Sequence, residues 1–315
     1  MTGYIDDAVS VIYLVDASVY VFRAYHSGLP DMFDVDDNPV HAVFGFARFL
    51  GDLVERARPQ YLAVAFDRSH GSCFRNRIYP AYKANRDPAP PDLALQFERC
   101  VEFCALAGIA AFASPEYEAD DIIGTLTALM RAQGLRSTLV SRDKDLAQLV
   151  RAGDRMWDFG SAEPMGYQDV SLRFGVVPER FADYLALRGD AVDNVPGVPG
   201  VGPKTAAALM QEFESLEALY EALESGAACG RFERLALRGS AGVRARLLEH
   251  RAAAWLARDL TRISCDAPLN VGHERLRRAA PDLAGLEAFF DRNDFGPLLR
   301  RQAGRLAASL DSVAA

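Results

Sequence analysis

Three short apolar runs, VIYLV (Val11–Val15), YLAVAF (Tyr61–Phe66) and STLV (Ser137–Val140), are separated by segments long enough for helices. They are rich in β-branched and aromatic residues and do not alternate with polar ones. That pattern predicts buried strands of a parallel sheet covered by helices, because a strand wet on one face would show a period of two. Helical spacing is expected over Ala42–Glu55, Ala94–Ala107, Asp120–Ala132 and Lys144–Val150; in the third, Ile122, Ile123, Leu126, Leu129 and Met130 cover one face. Beyond about Val176 the strand signals fade and helices dominate, with a soft boundary near Tyr167–Val177. The chain is therefore read as an α/β core over residues 9–175 followed by a smaller helical region over 176–310. Its 315 residues, half of them hydrophobic, suffice for a sizeable core without staples. There is no internal repeat or low-complexity tract, and the final SLDSVAA is expected to fray.

Each strand candidate runs into aspartate: VIYLVD at Asp16, LAVAFD at Asp67, and TLVSRDKD with Asp143 and Asp145 just past the end. In a parallel α/β sheet, ligands bind outside the carboxyl ends of the strands, so these side chains are brought to one edge whatever their distance in sequence. With 43 acidic residues in 315, one such aspartate means little, but three strand ends together are harder to dismiss. EYEADDIIGTL adds Glu118, Asp120 and Asp121 at a helix start, where capping needs one carboxylate rather than three, and GDAVDN adds Asp190 and Asp193. Nine carboxylates in one crevice repel one another unless divalent cations neutralise them. An all-oxygen set without His or Cys favours Mg²⁺ or Mn²⁺ over zinc, and two such ions around a phosphate suit phosphodiester hydrolysis.

The formal charge of −8, taken alone, argues against a nucleic-acid partner, but the charge is unevenly distributed. Between Asp67 and Asp87 the chain carries Arg68, Arg75, Arg77, Lys83 and Arg86 among Phe74, Tyr79 and Tyr82, a basic and aromatic segment in an acidic protein. Asp193–Ala206, DNVPGVPGVGPKTA, has six Gly or Pro in fourteen positions. Pro203 suits the first position of a helix, so the N–H groups after Gly202 can form an anion site with Lys204 beside them; the plainer alternative is a tight helix–turn–helix elbow that only packs. The five cysteines are odd in number, and neither a signal peptide nor an apolar span of membrane length is evident, which predicts a reduced, soluble, cytoplasmic protein. Cys100 and Cys104 read as buried thiols, and His26, His41 and His70 have no spacing that suggests a metal or a triad.

LVDASVYVFRAYH, FDRSHGSCFRNRIYPAYKANR, EADD, SRDKDLAQL and GDAVDNVPGVPGVGPKTA resemble, in order, the signature blocks of the bacterial and phage 5′-nuclease (flap endonuclease) family. That family includes the N-terminal exonuclease domain of DNA polymerase I. The resemblance runs from about Val11 to beyond Leu298, through ISCDAPL and NDFGPLL, and with no polymerase domain following it is that of a stand-alone member.

The resemblance implies a PIN-like (resolvase-like), mostly parallel sheet flanked by helices, a helical arch at about residues 68–91, and a C-terminal helix–hairpin–helix (H3TH) region. Asp16, Asp67, Glu118 and Asp120 match the ligands of a first metal. Asp121, Asp143, Asp145, Asp190 and Asp193 match those holding a second, directly or through water. Arg23, Lys83 and Arg86 match basic residues near the scissile phosphate, and Tyr82 an aromatic that stacks on a terminal base. Arg75 and Tyr79 are further candidates for DNA contact, against surface charge and packing as alternatives. Gly200, Gly202, Lys204 and Thr205 fall in the hairpin that holds the duplex backbone, often with a K⁺ ion. Asp16 is followed by Ala17 where Gly is common, but the aspartate itself is kept. The implied activity is 5′-3′ exonuclease and flap endonuclease cleavage of DNA at a 5′ flap, nick or frayed 5′ end, with RNA primer 5′ ends as a further substrate. It would be carried out by a monomer associated with the nucleoid, in replication and repair. Two rivals remain at this point. A structure-specific DNA-binding protein with weak cleavage would lack carboxylates, and none is missing; a PIN-type ribonuclease would lack the hairpin and the arch segment.

Overall fold

The computed structural model describes residues 10–28, 30–68, 72–226, 229–235 and 240–311. Five parallel strands form the sheet: β1 (Val11–Asp16), β2 (Tyr61–Asp67), β3 (Ala110–Ser114), β4 (Arg136–Val140) and β5 (Arg155–Trp157), in the order β3-β2-β1-β4-β5. The three strands expected from the sequence are its centre. β3 (AAFAS) and β5 (RMW) were not expected; the first is built of small residues and the second is three residues long.

The helices of the first part are α1 (Ala17–Tyr25), α2 (His41–Ala57), α3 (Phe74–Ile78), α4 (Pro91–Leu106), α5 (Ala119–Ala132) and α6 (Tyr167–Phe174). Those of the second part are α7 (Phe181–Arg188), α8 (Pro203–Glu212), α9 (Leu216–Glu224), α10 (Cys229–Arg234), α11 (Ser240–Glu249), α12 (Arg251–Thr261), α13 (Leu283–Arg292) and α14 (Pro297–Asp311). Lys144–Leu149 is a 3₁₀ helix rather than the α-helix its spacing suggested.

Successive strand residues face opposite cores, as the pleat requires. Ile12, Leu14, Ala63, Ala65 and Leu139 join a core with Ile122, Ile123, Leu126 and Met130 of α5, and this core continues into the helical part through Leu185, Leu209 and Phe213. Val15, Leu62, Val64, Phe66 and Val140 join the other, with Phe46 and Leu50 of α2 and Phe103 of α4. Two expectations need correction here. α13 and α14 do not build the helical region: Leu286, Phe289, Phe290, Leu299 and Leu306 complete the core beneath α2 and α4. At Gly51 on α2, a Cβ would lie 2.2 Å from Cδ of Gln302, so a glycine is what lets α14 come this close. Residues 72–90 do not form a helical arch. They hold the five-residue α3 and a run of turns to Arg86, while His70 and its neighbours 69–71 lie outside the described residues.

Cys73, Cys100 and Cys104 are buried free thiols and Cys265 is an exposed one. Among the described residues no helix is long and apolar enough to cross a membrane.

Candidate active site

The strand order reverses direction at β1, between β2 and β4, which makes the carboxyl edge of these three strands the crevice of the fold. Asp16 ends β1 and caps α1, and Ser141 Oγ, just past β4, donates to its Oδ2 at 2.9 Å. Asp67 ends β2 and accepts the Ala119 N–H at 2.8 Å, at the first turn of α5. Glu118 precedes α5 and Asp120 lies in its first turn. Past β4, Asp143 caps the 3₁₀ helix by accepting from the Asp145 N–H at 2.9 Å. Asp190 and Asp193 come from the turn after α7 and complete the cleft wall with Glu118, Asp120, Asp143 and Asp145.

The ninth carboxylate is spent differently. Asp121 is fully buried and forms a fork-to-fork pair with Arg75, at 2.7 and 2.8 Å, while also accepting the N–H groups of Glu118 (3.1 Å) and Ser264 (2.8 Å). Arg75 is 2 % exposed and also donates to the Leu260 and Arg262 carbonyls and to Glu118. The expectations of Asp121 as a metal ligand and Arg75 as a DNA contact are thus corrected: the pair is a buried tie among α3, α5 and the end of α12. A charge can be buried when every donor and acceptor is satisfied in this way.

The basic segment meets the crevice through turns. Lys83, in the left-handed region at φ 55°, donates its N–H to the Asp193 carbonyl at 2.9 Å. Asn194, also left-handed, donates through Nδ2 to the Ala81 carbonyl at 2.7 Å, and Asn85 Nδ2 donates to the Ala191 carbonyl at 3.0 Å. Two turns from the two parts of the chain are thereby clasped. The Lys83 ammonium is directed onto Glu118 and the Arg86 guanidinium onto Asp193.

Tyr82 does not offer a stacking face. It is 5 % exposed, its hydroxyl donates to Glu118 at 3.0 Å, and Lys83 Nζ lies 5.0 Å from its ring centre. Tyr79 is half-buried against the core, which favours the packing alternative. Arg23 is not brought to the crevice either: it pairs with Asp158 and donates to the Phe159 carbonyl.

The carboxylates repel one another as the sequence suggested. Burial and the Asp67 charge push Asp16 up to about 7, and burial with the Asp143 charge pushes Asp145 up to about 7. Asp120 is raised well above the usual carboxylate range by burial and by Asp143 and Asp16, and Asp67 is raised by burial and Glu118. Burial alone would lift Glu118 and Asp190 as well, but Lys83 and Arg75 bring the first below its ordinary value, and Lys144 the second.

As a seat for divalent cations, the donor set is right: hard oxygen ligands, with Asp145 Oδ1 buried and without a hydrogen-bond partner. Among the described residues no three acidic, imidazole or thiol side chains are placed to hold one ion as they stand. Lys83, Lys144 and Arg86 are interposed on Glu118, Asp190 and Asp193 and would have to yield.

The Gly/Pro stretch has two jobs. Inside, Gly189 and Gly197 press backbone on backbone: a Cβ on Gly197 would lie 2.4 Å from the Gly189 nitrogen. Outside, Gly202 caps α8, followed by Pro203 and the exposed Lys204 and half-buried Thr205; a Cβ on Gly202 would meet nothing within 4 Å. Gly200 takes a left-handed φ of 74° beside the Arg246 guanidinium, a cation that sequence reading missed because it lies 46 residues downstream in α11. Lys144 was also missed, though its place between two candidate ligands in SRDKD was a signal.

The family profile described as "5′-3′ exonuclease, N-terminal resolvase-like domain" matches residues 11–175, and "5′-3′ exonuclease, C-terminal SAM fold" matches 176–284. A 5′-3′ exonuclease of Aquifex aeolicus is 40% identical over 206 residues, covering 65% of this chain and 71% of the relative. DNA polymerase I of Rhizobium leguminosarum is 38% identical over 299 residues, covering 93% of this chain but only 28% of the polymerase. The chain thus spans less than a third of the polymerase's length. A solved structure of T5 5′-exonuclease with bound divalent zinc ions superposes with a TM-score of 0.65 over 97% of this chain and 100% of that one, at 17% identity, a likeness of fold. With both profiles matched in succession across the sheet and the helical part, the chain belongs to the 5′-3′ exonuclease family.

Proposed function

We propose that this member of the 5′-3′ exonuclease family hydrolyses DNA phosphodiester bonds at 5′ flaps, nicks and frayed 5′ ends, using two Mg²⁺ or Mn²⁺ ions. The observation that carries the reading is the convergence of eight carboxylates on one crevice with Lys83 and Arg86 directed into it. Asp16, Asp67, Glu118 and Asp120 would hold one ion, and Asp143, Asp145, Asp190 and Asp193 the other. When bound, such ions make water a nucleophile at neutral pH and neutralise charge on the phosphate. The protein's share is orientation and electrostatics. Backbone N–H groups and Ser141 fix the carboxylates, and Lys83 and Arg86, released from Glu118 and Asp193, offset charge on the reacting phosphate.

In the same reading the duplex backbone lies against the open side of Gly202, with Lys204, Thr205 and Arg246 beside it and a K⁺ ion at the hairpin; RNA 5′ ends are a further substrate. A monomer acting on the nucleoid suffices for this chemistry. The test is gel analysis of an end-labelled flap and a nicked duplex with Mg²⁺, with Mn²⁺ and with EDTA. Short 5′ products in either metal are expected, and undiminished cleavage in excess EDTA by a contaminant-free preparation would overturn the reading.

A further inference from the structure

Among the described residues Arg75, Lys83, Arg86 and Lys144 all touch crevice carboxylates; Arg75 is locked in the buried tie with Asp121, and Lys144 is the one left with neither that role nor a part in the reaction proposed above. Its Nζ lies 2.6 Å from Oδ2 of Asp190 and 3.4 Å from Oδ1 of Asp145, so one ammonium sits between carboxylates from the two parts of the chain. Asp190 cannot follow it: its other oxygen accepts the Val192 N–H at 2.9 Å, and its backbone exchanges both hydrogen bonds with Val195, at 3.0 and 2.8 Å. Lys144 can move. Its side chain is 35% exposed and forms part of the wall of an adjoining cleft that also carries Glu163, Arg142, Arg173 and an Asp158 already paired with Arg23, so an ammonium that has left Asp190 is received there by solvent and by Glu163.

We propose that Lys144 is a built-in counter-ion for the second group of carboxylates: its ammonium occupies the space between Asp145 and Asp190 in the metal-free protein, leaves for the adjoining cleft when a divalent cation enters, and so sets how tightly that cation is held. This rests on the two-ion reading. The single charge neutralises the group only partly, since Asp145 Oδ1 stays buried without a hydrogen bond, which leaves the divalent ion the stronger competitor. Lysine suits the role because its ammonium is a point charge on a flexible stem and does not lock onto a carboxylate as a guanidinium fork does.

The test is Mn²⁺ titration of the DNA-free protein, read from the electron paramagnetic resonance of free Mn²⁺, which needs no turnover. Lys144→Met should tighten the weaker of two sites by on the order of tenfold, the size expected from removing one nearby charge at protein-like dielectric. Lys144→Gln, which keeps a hydrogen bond to Asp190 without the charge, should do the same and serves if the methionine variant does not fold. Lys144→Arg, which keeps the charge and grips a carboxylate more firmly, should bind Mn²⁺ no tighter than wild type. Unchanged or weaker Mn²⁺ binding in folded Lys144→Met or Lys144→Gln overturns the inference while leaving the two-ion reading intact. Absence of any Mn²⁺ binding by the wild type would sink both.

Discussion

The two halves of the crevice are built in different ways. Asp16 and Asp67 end central strands, and each is gripped by neutral donors: the Ser141 hydroxyl and the Val19 N–H for one, the Ala119 N–H for the other. Asp190 and Asp193 sit on a turn of the helical part and are gripped mainly by the charges of Lys144, Lys83 and Arg86. Asp16 and Asp67 are fixed by the sheet whatever occupies the crevice, and the exchangeable contact on their side is that of Lys83 with Glu118. The second half is a set of exchangeable ion pairs, sensitive to salt and to competing cations. Rigidity on one side and exchangeability on the other is what an enzyme needs if one ion is resident and the other comes and goes.

The largest expected effect lies in the fixed half. Asp67→Asn should lower single-turnover cleavage by on the order of 10⁴, several kcal/mol of lost charge stabilisation, while binding of flap DNA in Ca²⁺ is retained. Equal loss of both would misplace the residue. Next is the tie beneath it. Arg75→Met leaves Asp121 buried and unpaired, at a cost of about 3–5 kcal/mol, visible in chemical or thermal unfolding. A variant as stable as wild type would show that the tie does not support the first half.

Lys83→Ala tests the boundary between the halves, since its ammonium touches Glu118 on one side and lies 3.8 Å from Asp193 on the other. Its single-turnover rate should fall by about 10²–10³ with binding little changed, as for loss of a donor to the transition state. A Kd that rises by that factor with an unchanged rate would make it a clamp.

Proton linkage gives a smaller effect. Burial and the neighbouring carboxylates push Asp16 and Asp145 up to about 7 in the folded protein, against about 4 when unfolded, so between these values the folded state binds more protons. Metal-free stability should therefore fall as pH rises from about 4 to about 7, by several degrees in Tm, and Mg²⁺ should flatten the slope. A rising trend across that window would contradict the mutual repulsion inferred for both halves. Smallest is Gly202→Val, expected to weaken binding to duplex-containing DNA a few-fold relative to single strands at one salt concentration, because a side chain there projects into open space that the duplex would use. A uniform loss would indicate a folding defect.

How much of this was legible in the sequence follows from what each feature depends on. The three central strands and their terminal aspartates were readable because burial on both faces leaves an uninterrupted apolar run. β3 was not, since AAFAS carries little apolar bulk, and β5 was too short to show a period. The carboxylates came through as a group, but the division of labour between Asp120 and Asp121 did not. Adjacent residues on a helix point about 100° apart, so one faces the crevice and the other the core, and the deciding partner, Arg75, lies 46 positions away. Arg75 was a candidate DNA contact in a basic, aromatic segment and Tyr82 a stacking residue implied by the resemblance; the first is instead satisfied internally by Asp121 and Glu118, and the second by Glu118. The backbone contact of Gly189 with Gly197 gives part of the glycine content an internal packing role, the plainer of the two alternatives that the stretch left open.

The clasp between the two turns also has a consequence for the protein's birth. Arg86 and Asp193 are separated by 107 positions and Ala81 and Asn194 by 113, so these contacts close long loops and cannot form until the helical part has been made. A growing chain that has reached the end of α6 carries six of the eight carboxylates, but the turn that Lys83 and Arg86 engage does not yet exist. A half-finished chain therefore lacks the closing wall of its crevice, and in the proposed reading it could not cut DNA before that turn had been made and docked.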